Sequence, residues 1–372
     1  MTRRLVVAAA ALAFAAPVLG APPQVTGRSF VVENGVTGEV LLARNARERL
    51  PIASITKLMT VLLTLEHARP GETVLVSPFA AGVGESSVDL RPGERLTVRE
   101  LLEAALIQSA NDAADALAVY VGRGSESRFV AMMNARARQL GLRDTHFVRP
   151  DGLDAPGHVS SARDVTLLAR LLMHRPLVRQ IVRQRGATIS GGRALHTWND
   201  LLYSYPGIFG VKTGHTSAAG WSQVAAARRR GVTVYATLLG SPDRSTRNAD
   251  LGELLDWGFS RYRPAAVAVR GRAYASAALG YGRKRLELVA ARSLAPEVRV
   301  DHPLVRRVVA ATAVALPVRR GQALGQILVF QRRRLVGRVR LVAARSVTRP
   351  GLASRAGWYA GRTLHHMWGW LT

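Results

Sequence analysis

The stretch "GIFGVKTGHTSAAGWSQVAAARRRGVTVYATLLG", residues 207–240, decides the fold, because its apolar residues alternate with the period of strands. It predicts strands at residues 224–227 and 232–239, which flank a basic turn at residues 228–231. A second hairpin is predicted near the N-terminus, with strands at residues 29–32 and 38–43. The sequence therefore predicts an antiparallel sheet built from both ends of one region.

Helical patterns fill the sequence between these two hairpins. They cover residues 54–67, 98–107, 111–121, 125–141 and 160–174, and residues 247–262 form a further helix behind the second hairpin. The helical patterns at residues 98–107 and 111–121 are separated by a break at residues 109–111. Ser161 and Asp164 form a helix-capping pattern without chemistry. The fold class is therefore α+β, an antiparallel sheet covered by a helical cluster.

Beyond residue 262 the pattern of the sequence changes. Residues 263–347 contain short β-rich runs with Gly and Arg between them, which predict a small all-β C-terminal domain. Residues 348–372 form a basic, aromatic and amphipathic tail that contains no acidic residue. Two interpretations of the tail stay open, a segment that associates with an anionic membrane surface and a helix that docks on its own protein.

The N-terminus has the layout of a signal peptide. Arg3 and Arg4 precede an apolar run at residues 5–16, and small residues follow. We expect residues 1–21 to be removed after Gly20 or Ala21, since the run is short for a membrane span; an uncleaved anchor is the alternative. The protein is then exported, to the periplasm or the outer face of the cell membrane, and residues 22–262 form its first mature domain.

The composition is strongly basic and lacks cysteine. Lys and Arg number 52 against 25 Asp and Glu, which gives a formal charge of +27. The arginines form no single dense tract, so a general bias toward Arg is favoured over nucleic-acid binding, and attraction to an anionic surface is a third interpretation. The lack of Cys excludes disulfides, thiolate catalysis and Cys-ligated metal.

Lysine is rare in this chain, and its positions are informative. Only Lys57, Lys212 and Lys284 are lysines. Ser54 and Lys57 have the spacing S-x-x-K, which places a hydroxyl and an amine on one helix face. A neutral lysine can take the proton of a serine nucleophile, whereas the guanidinium of arginine stays protonated. Lys284 lies in a predicted turn of the second domain, and we assign it no role.

Two further short motifs follow in the chain. Ser109 and Asn111 flank Ala110 at the predicted helix break, where side chains can project into a cleft. Lys212 and Thr213 precede Gly214, which permits close approach of a ligand to the strand backbone. Each motif alone is weak evidence, but two of the three lysines fall inside them.

The three motifs in this order resemble those of the serine penicillin-recognising enzymes. The chain is most similar to D-alanyl-D-alanine carboxypeptidases of the penicillin-binding protein 5 type, a family of serine peptidases. The similarity covers almost the whole mature chain, through "PIASITKLMT", "LRPGERLTVRELLEAALIQSANDAADALA", "HFVRPDGLDAPGHVSSARDV", "GVKTGHTSAAGWS" and "PVRRGQALGQILVFQRRRLVGRVRLVAARSV".

The resemblance implies a hydrolase that removes the terminal D-Ala of peptidoglycan stem peptides through an acyl-enzyme. It assigns Ser54 as nucleophile, Lys57 as acylation base, Ser109 and Asn111 to the proton network and substrate positioning, Lys212 and Thr213 to the terminal carboxylate, and the backbone N–H groups of Ser54 and His215 to the oxyanion hole. β-Lactam antibiotics are then covalent inhibitors. No cofactor, metal or nucleic acid is implied.

Two positions depart from the family pattern. Ala110 stands where many carboxypeptidases have Gly, and Trp198 stands where a polar or basic residue is expected.

Two other functions compete with this interpretation. A serine β-lactamase needs an efficient deacylation base, and no E-x-x-x-N pattern lies between the second and third motifs. A non-catalytic penicillin- or wall-binding protein would not need all three motifs.

Overall fold

A computed structural model describes residues 5–12, 20–281 and 283–368. The chain divides into two compact units. One unit spans Gly20–Ser260, and the other contains strand β1 (Leu5–Leu12) together with the chain from Arg261 onward. Within the described ranges, no helix combines the length and apolar character that a membrane span needs.

The first unit contains both hairpins and the helices between them. Its strands are β2 (Ser29–Asn34), β3 (Val40–Arg44), β4 (Thr73–Leu75), β5 (Arg95–Thr97), β6 (Gly186–Ile189), β7 (Arg193–His196), β8 (Ile208–Thr216), β9 (Gly220–Arg229) and β10 (Val232–Ser241). Its α-helices are α1 (Lys57–His67), α2 (Pro78–Ala81), α3 (Val98–Glu103), α4 (Asn111–Val121), α5 (Glu126–Leu140), α6 (Ala162–Leu172), α7 (Pro176–Val182), α8 (Leu201–Ser204) and α9 (Arg244–Ser260).

The main sheet of this unit has five antiparallel strands in the order β3-β2-β10-β9-β8. The N-terminal hairpin therefore pairs with the C-terminal one through β2 and β10, as the sequence predicts. Burial runs through most of β8, β9 and β10, because helices cover the sheet. The predicted α+β class is confirmed.

Helix α1 is the central helix of the unit. Eight consecutive residues from Lys57 to Thr64 are buried, so the helix has no solvent face over its first two turns. A short 3-10 helix, Ala53–Thr56, precedes it and carries Ser54. Helix α4 packs beside α1 and is buried over its first eight residues. The core of the unit thus surrounds the first two motifs.

The predicted break between two helices falls at Ser109. A π-helical turn, Ala104–Gln108, follows α3 and ends at Ser109, whose φ of 67° is left-handed. Helix α4 then starts at Asn111. Wide turns of this kind occur often at functional sites, and a left-handed non-glycine residue costs roughly 1–2 kcal/mol. The break therefore displays Ser109 and Asn111 from the ends of two helices.

The second unit is rich in strands. These are β11 (Tyr262–Pro264), β12 (Ala273–Leu279), β13 (Leu286–Ala290), β14 (Glu297–Arg299), β15 (Leu304–Ala311), β16 (Ala313–Val314), β17 (Ala323–Gln331) and β18 (Arg334–Ala343). A seven-stranded sheet has the order β1-β15-β17-β18-β13-β12-β16. Its buried face packs a second hydrophobic core that includes Leu288, Ile327 and Leu341.

The two ends of the chain belong to this second unit. Strand β1 pairs antiparallel with β15, from Leu5 opposite Ala311 to Leu12 opposite Leu304. The predicted signal peptide covers this strand and stays a prediction. Helix α10 (Leu352–Trp368) forms most of the predicted tail. Trp358 and Tyr359 contact the ring of Tyr281, at centroid distances of 5.4 and 6.2 Å, so the first half of the tail packs on its own domain.

Candidate active site

The turn that carries Ser54 is held in an uncommon backbone conformation. Ala53 has a φ of +47°, in the left-handed region. Gly152 packs against this turn so closely that a Cβ on it would lie 2.1 Å from the carbonyl oxygen of Ala53. Glycine is therefore required at position 152, and the loop that contains it fixes the position of the Ser54 turn.

The amine of Lys57 contacts three acceptors. Its Nζ lies 2.7 Å from Ser54 Oγ, 2.7 Å from Asn111 Oδ1 and 2.7 Å from the carbonyl oxygen of Asp151. The first motif thus forms a direct hydroxyl–amine pair, as the i, i+3 spacing predicts. Asn111 is held from its other side, since its Nδ2 donates to the Gly84 carbonyl at 3.0 Å.

The environment of Lys57 favours proton exchange near neutral pH. Its side chain is fully buried, and burial lowers its pKa to about 8, while the carboxylates of Asp151 and Asp115 oppose that shift. A substantial fraction of the amine is then neutral at pH values slightly above 7. A neutral amine can accept the hydroxyl proton of Ser54.

Two buried carboxyl groups lie close enough to Lys57 to influence its charge. Asp151 accepts two hydrogen bonds from Arg149, at 3.0 and 2.8 Å, and although burial opposes it, these bonds hold the pKa of Asp151 below its usual value. Asp115 lies one helical turn after Asn111, and neither carboxyl oxygen has a hydrogen-bond partner among the described residues. Burial and the charge of Asp151 raise the pKa of Asp115.

A second hydroxyl–amine pair joins the other two motifs. Lys212 Nζ donates to Ser109 Oγ at 2.8 Å and to its neighbour's carbonyl, that of Thr213, at 2.9 Å. Lys212 is only 2% exposed. Burial, together with the positive charges of Lys57 and Arg247, lowers the pKa of Lys212 well below its usual value. Among the residues that the structure describes, no carboxylate is a close contact of this amine.

Gly214 brings β8 directly against the Ser54 turn. A Cβ at this position would lie 2.8 Å from the Ile52 carbonyl oxygen and 3.2 Å from the Ile55 nitrogen. The sequence predicts that this glycine lets a ligand approach the strand backbone, which stays a prediction; the structure shows that the protein's own backbone fills the side that a Cβ would occupy. The close packing places Thr213, which is buried, and His215, which is exposed, beside the nucleophile turn.

The side chain of His215 belongs to a stack of flat groups. Its ring lies 4.1 Å from that of Trp221, and the guanidinium of Arg247 lies 5.6 Å from the centre of the Trp221 ring. Arg247 is 1% exposed, donates to Asn248 Oδ1, and has a pKa lowered to about 10 by burial. Nothing in its sequence context, "RSTRNAD", indicates this position, so sequence analysis missed Arg247.

Trp198, the residue that departs from the family pattern, supports the second motif. Its indole Nε1 donates to the carbonyl of Gln108 at 2.9 Å, immediately before Ser109. The guanidinium of Arg244 lies over its ring at 5.2 Å. Trp198 thus steadies the helix break rather than offering a charge.

A buried histidine, which sequence analysis also missed, fixes the loop beside the Ser54 turn. His158 Nδ1 accepts the backbone N–H of Val148 at 3.0 Å, so Nε2 carries the proton and donates to Thr56 Oγ1 at 2.7 Å. Burial lowers the pKa of His158 to about 4, so the ring is neutral at physiological pH. The loop and the first motif are therefore joined by an uncharged contact.

A cavity of about 310 Å³ opens beside the same turn. It is lined mainly by apolar residues, among them Ile52, Leu153, Pro156 and Ala218. Asp154 lines it as well, and its carboxylate is occupied by Thr216 Oγ1 at 2.6 Å and the Ala218 N–H at 3.1 Å. Within the described part of the chain, no group of His, Asp and Glu residues has the arrangement of a metal site.

The structure brings the three predicted motifs into one site. Ser54 meets Lys57, Ser109 meets Lys212, and β8 packs on the nucleophile turn. Lys284, the third lysine, is exposed in the second unit. His365 and His366 are neighbours on helix α10 and therefore do not share a face, which makes them a poor metal pair; their side chains lie outside those that the structure describes.

Known proteins match both the sequence and this arrangement. The Peptidase S11 family model, described as D-alanyl-D-alanine carboxypeptidase, matches residues 17–243. The chain is 32% identical to the D-alanyl-D-alanine carboxypeptidase DacF of Bacillus subtilis, over 81% of each protein. It is 31% identical to DacD of Escherichia coli, over 98% of this chain and 100% of that protein.

A solved structure extends the match to both units. The chain aligns with penicillin-binding protein 5 from Haemophilus influenzae with a TM-score of 0.63 and 25% identity, over 89% of this chain and 100% of that one. The fold and site therefore define a serine peptidase of the penicillin-recognising class. The chain belongs to peptidase family S11, the D-alanyl-D-alanine carboxypeptidases, and the resemblance inferred from its motifs is confirmed.

Proposed function

We propose that the protein removes the terminal D-Ala of peptidoglycan stem peptides through an acyl-enzyme on Ser54. One observation carries this proposal: the Lys57 amine lies 2.7 Å from Ser54 Oγ in a buried setting that lowers its pKa to about 8. A serine hydroxyl needs such a neighbouring base to become a nucleophile.

In the first step, Ser54 Oγ attacks the carbonyl carbon of the penultimate D-Ala, and Lys57 takes the hydroxyl proton. The backbone N–H groups of Ser54 and His215 stabilise the oxyanion, since Gly214 holds β8 against the Ser54 turn. The C–N bond then breaks, and Ser109 relays a proton to the nitrogen of the departing D-Ala. Asn111 keeps the Lys57 amine in place.

The terminal carboxylate of the substrate binds at Lys212 and Thr213. In the described part of the chain, Lys212 has no carboxylate among its close contacts, and Arg247 adds a second positive charge nearby. An incoming carboxylate raises the pKa of the Lys212 amine and restores its charge. The apolar cavity lined by Leu153 and Ala218 lies beside the Ser54 turn, where the acyl side of the peptide would extend.

Water then hydrolyses the acyl-enzyme, and penicillins acylate the same serine but leave slowly. The rival β-lactamase function needs a carboxylate free to activate water. The loop of residues 149–158 offers Asp151 and Asp154, and both already accept hydrogen bonds from the protein. This favours a carboxypeptidase over a β-lactamase.

The proposed substrate lies outside the cytoplasm, so the proposal includes export. The signal-peptide layout of residues 1–21 supports it. Fractionation of cells expressing the chain, with immunodetection, should find a shortened protein outside the cytoplasm. A full-length cytoplasmic product would contradict this part of the proposal.

The test of the activity is a peptide ending in D-Ala-D-Ala together with a fluorescent penicillin. We expect the purified protein to release D-Ala and to become covalently labelled, and Ser54→Ala to do neither. Labelling that persists in Ser54→Ala would overturn the proposal. Fast penicillin turnover without D-Ala release would identify a β-lactamase, and no reaction with either compound a binding protein.

A further inference from the structure

Positive charge is distributed very unevenly between the two parts of the chain. Residues 22–260 contain 28 Lys and Arg against 22 Asp and Glu, a formal charge of +6. Residues 261–347 contain 19 Lys and Arg against only 3 Asp and Glu, a formal charge of +16 in 87 residues. Charge asymmetry of this size indicates an anionic partner for the more basic part.

A general bias toward arginine does not explain this difference. Such a bias would replace lysine throughout the chain, but it would not remove acidic residues from one domain. The three acids of the second unit are Glu287, Glu297 and Asp301. Asp301 is already paired with Arg299 and Arg261, so little negative charge remains to neutralise the other arginines.

The structure places several of these arginines in register on the outer face of the seven-stranded sheet. Arg307 on β15 lies opposite Leu328 on β17, and Leu328 lies opposite Arg338 on β18. Arg340 follows Arg338 on the same face, because Val339 between them points into the core. We call Arg307, Leu328, Arg338 and Arg340 the arginine face.

The arginine face is exposed, and its arginines have no carboxylate partner among the described residues. Arg307, Arg338 and Arg340 are exposed, and within the described residues none of them is paired with a carboxylate. The Arg307 guanidinium lies 5.2 Å from the centre of the Phe330 ring, so this side chain lies along the sheet. Glu287, on β13, lies on the same face, and its single negative charge leaves the face with a net positive charge.

The hairpin at the end of this sheet continues the pattern. Arg332 and Arg333, between β17 and β18, have φ values of +47° and +65°, in a region that favours Gly or Asn. Leu335 follows and is 48% exposed. Arginines beside an exposed leucine form an edge suited to the boundary between headgroups and acyl chains.

We propose that the arginine face and this hairpin bind the headgroup plane of a bilayer that contains anionic phospholipid. Guanidinium groups on one face of a sheet match a plane of phosphates, each of which can accept two parallel hydrogen bonds from one arginine. The exposed Leu335 favours a bilayer over a soluble polyanion. The β-rich domain is thus a membrane-docking module that acts independently of the C-terminal tail.

The test measures cosedimentation of the purified protein with phosphatidylcholine vesicles, with and without phosphatidylglycerol. The face variant carries Arg307→Gln, Arg338→Gln and Arg340→Gln. The control variant carries Arg95→Gln, Arg143→Gln and Arg183→Gln, three exposed arginines of the first unit, and has the same net charge. Both variants keep the tail unchanged, so any binding by the tail is common to them.

Each arginine should contribute about fivefold in affinity, so we expect the face variant, which lacks three of them, to lose roughly 100-fold in affinity for anionic vesicles. The control should lose far less, and a variant with lysine at the three face positions should retain most of the binding, since the charge is kept. Thermal unfolding and labelling by fluorescent penicillin confirm that each variant is folded. Binding by the wild type should fall steeply with added salt.

Three outcomes would overturn the proposal. Equal affinity of wild type and face variant would assign membrane binding to the tail. Equal losses in the face and control variants would mean that only net charge matters. If linear inorganic polyphosphate separates the two variants and vesicles do not, the arginine face binds a soluble polyanion instead of a bilayer.

Discussion

Two buried lysine–serine pairs stand side by side in this site, and they differ in the charges around them. Lys57 contacts Ser54 and has the carboxyl groups of Asp151 and Asp115 nearby, which keep its pKa at about 8. Lys212 contacts Ser109, and burial together with the positive charges of Lys57 and Arg247 lowers its pKa well below the usual value. Under the proposed function, the same pair of residue types serves proton transfer in one place and anion binding in the other.

The largest expected effect separates the two pairs by chemistry. Lys57→Arg keeps the positive charge but cannot take a proton, so acylation of Ser54 should fall by roughly 10²–10⁴-fold. The measurement is the rate of labelling by a fluorescent penicillin. Labelling at the wild-type rate would show that Lys57 is not the base.

The next largest effect concerns Lys212 and Ser109, the pair that we propose binds the substrate carboxylate. Lys212→Met keeps much of the side-chain volume and removes the charge, so kcat/KM for a peptide ending in D-Ala-D-Ala should fall on the order of 100-fold. The matched control is the same peptide with an amide in place of its terminal carboxylate. With the amide, wild type and variant should differ little; an equal loss on both peptides would contradict the assignment of Lys212.

A smaller effect concerns pH. Acylation should increase with pH and level off above the Lys57 pKa of about 8, because only the neutral amine accepts a proton. Burial raises the pKa of Asp115 to about 8, so its carboxyl group is only partly ionised in this pH range; Asp115→Asn removes that partial negative charge, and the rising limb should move to lower pH by a fraction of a unit. Glu253→Gln, which changes an exposed carboxylate that is not among the charges acting on Lys57, serves as the control. An unchanged profile in Asp115→Asn would remove Asp115 from the tuning of Lys57.

The smallest effect concerns Trp198, which supports the helix break that carries Ser109. Trp198→Phe removes the hydrogen bond from the indole to the Gln108 carbonyl, and should cost about 0.5–1.5 kcal/mol of unfolding free energy. D-Ala release should change less than tenfold, since Ser109 keeps its contact with Lys212. Denaturant unfolding and the release assay measure the two quantities; a loss of activity without a loss of stability would give Trp198 a direct role with the substrate.

The sequence predicts the parts of this site that depend on local spacing. Ser54 and Lys57 are three residues apart on a helical turn, and Ser109 lies at a helix break that the pattern of apolar residues marks. Neither the Asp151 carbonyl at Lys57 nor the contact of Arg247 with Trp221 could be predicted, because each joins positions far apart in the chain. The close packing of Gly214 on Ile52 and Ile55 could not be predicted for the same reason, since these neighbours come from a distant segment.

The pairing of β1 with β15 has a consequence for the maturation of the protein. If residues 1–21 are removed as expected, β15 becomes an edge strand with unpaired backbone N–H and C=O groups. Such edges tend to recruit strands from other molecules, and charged side chains are a common protection. Arg306 and Arg307 lie in the middle of β15, so the mature enzyme would carry its own barrier against aggregation at the edge that processing uncovers.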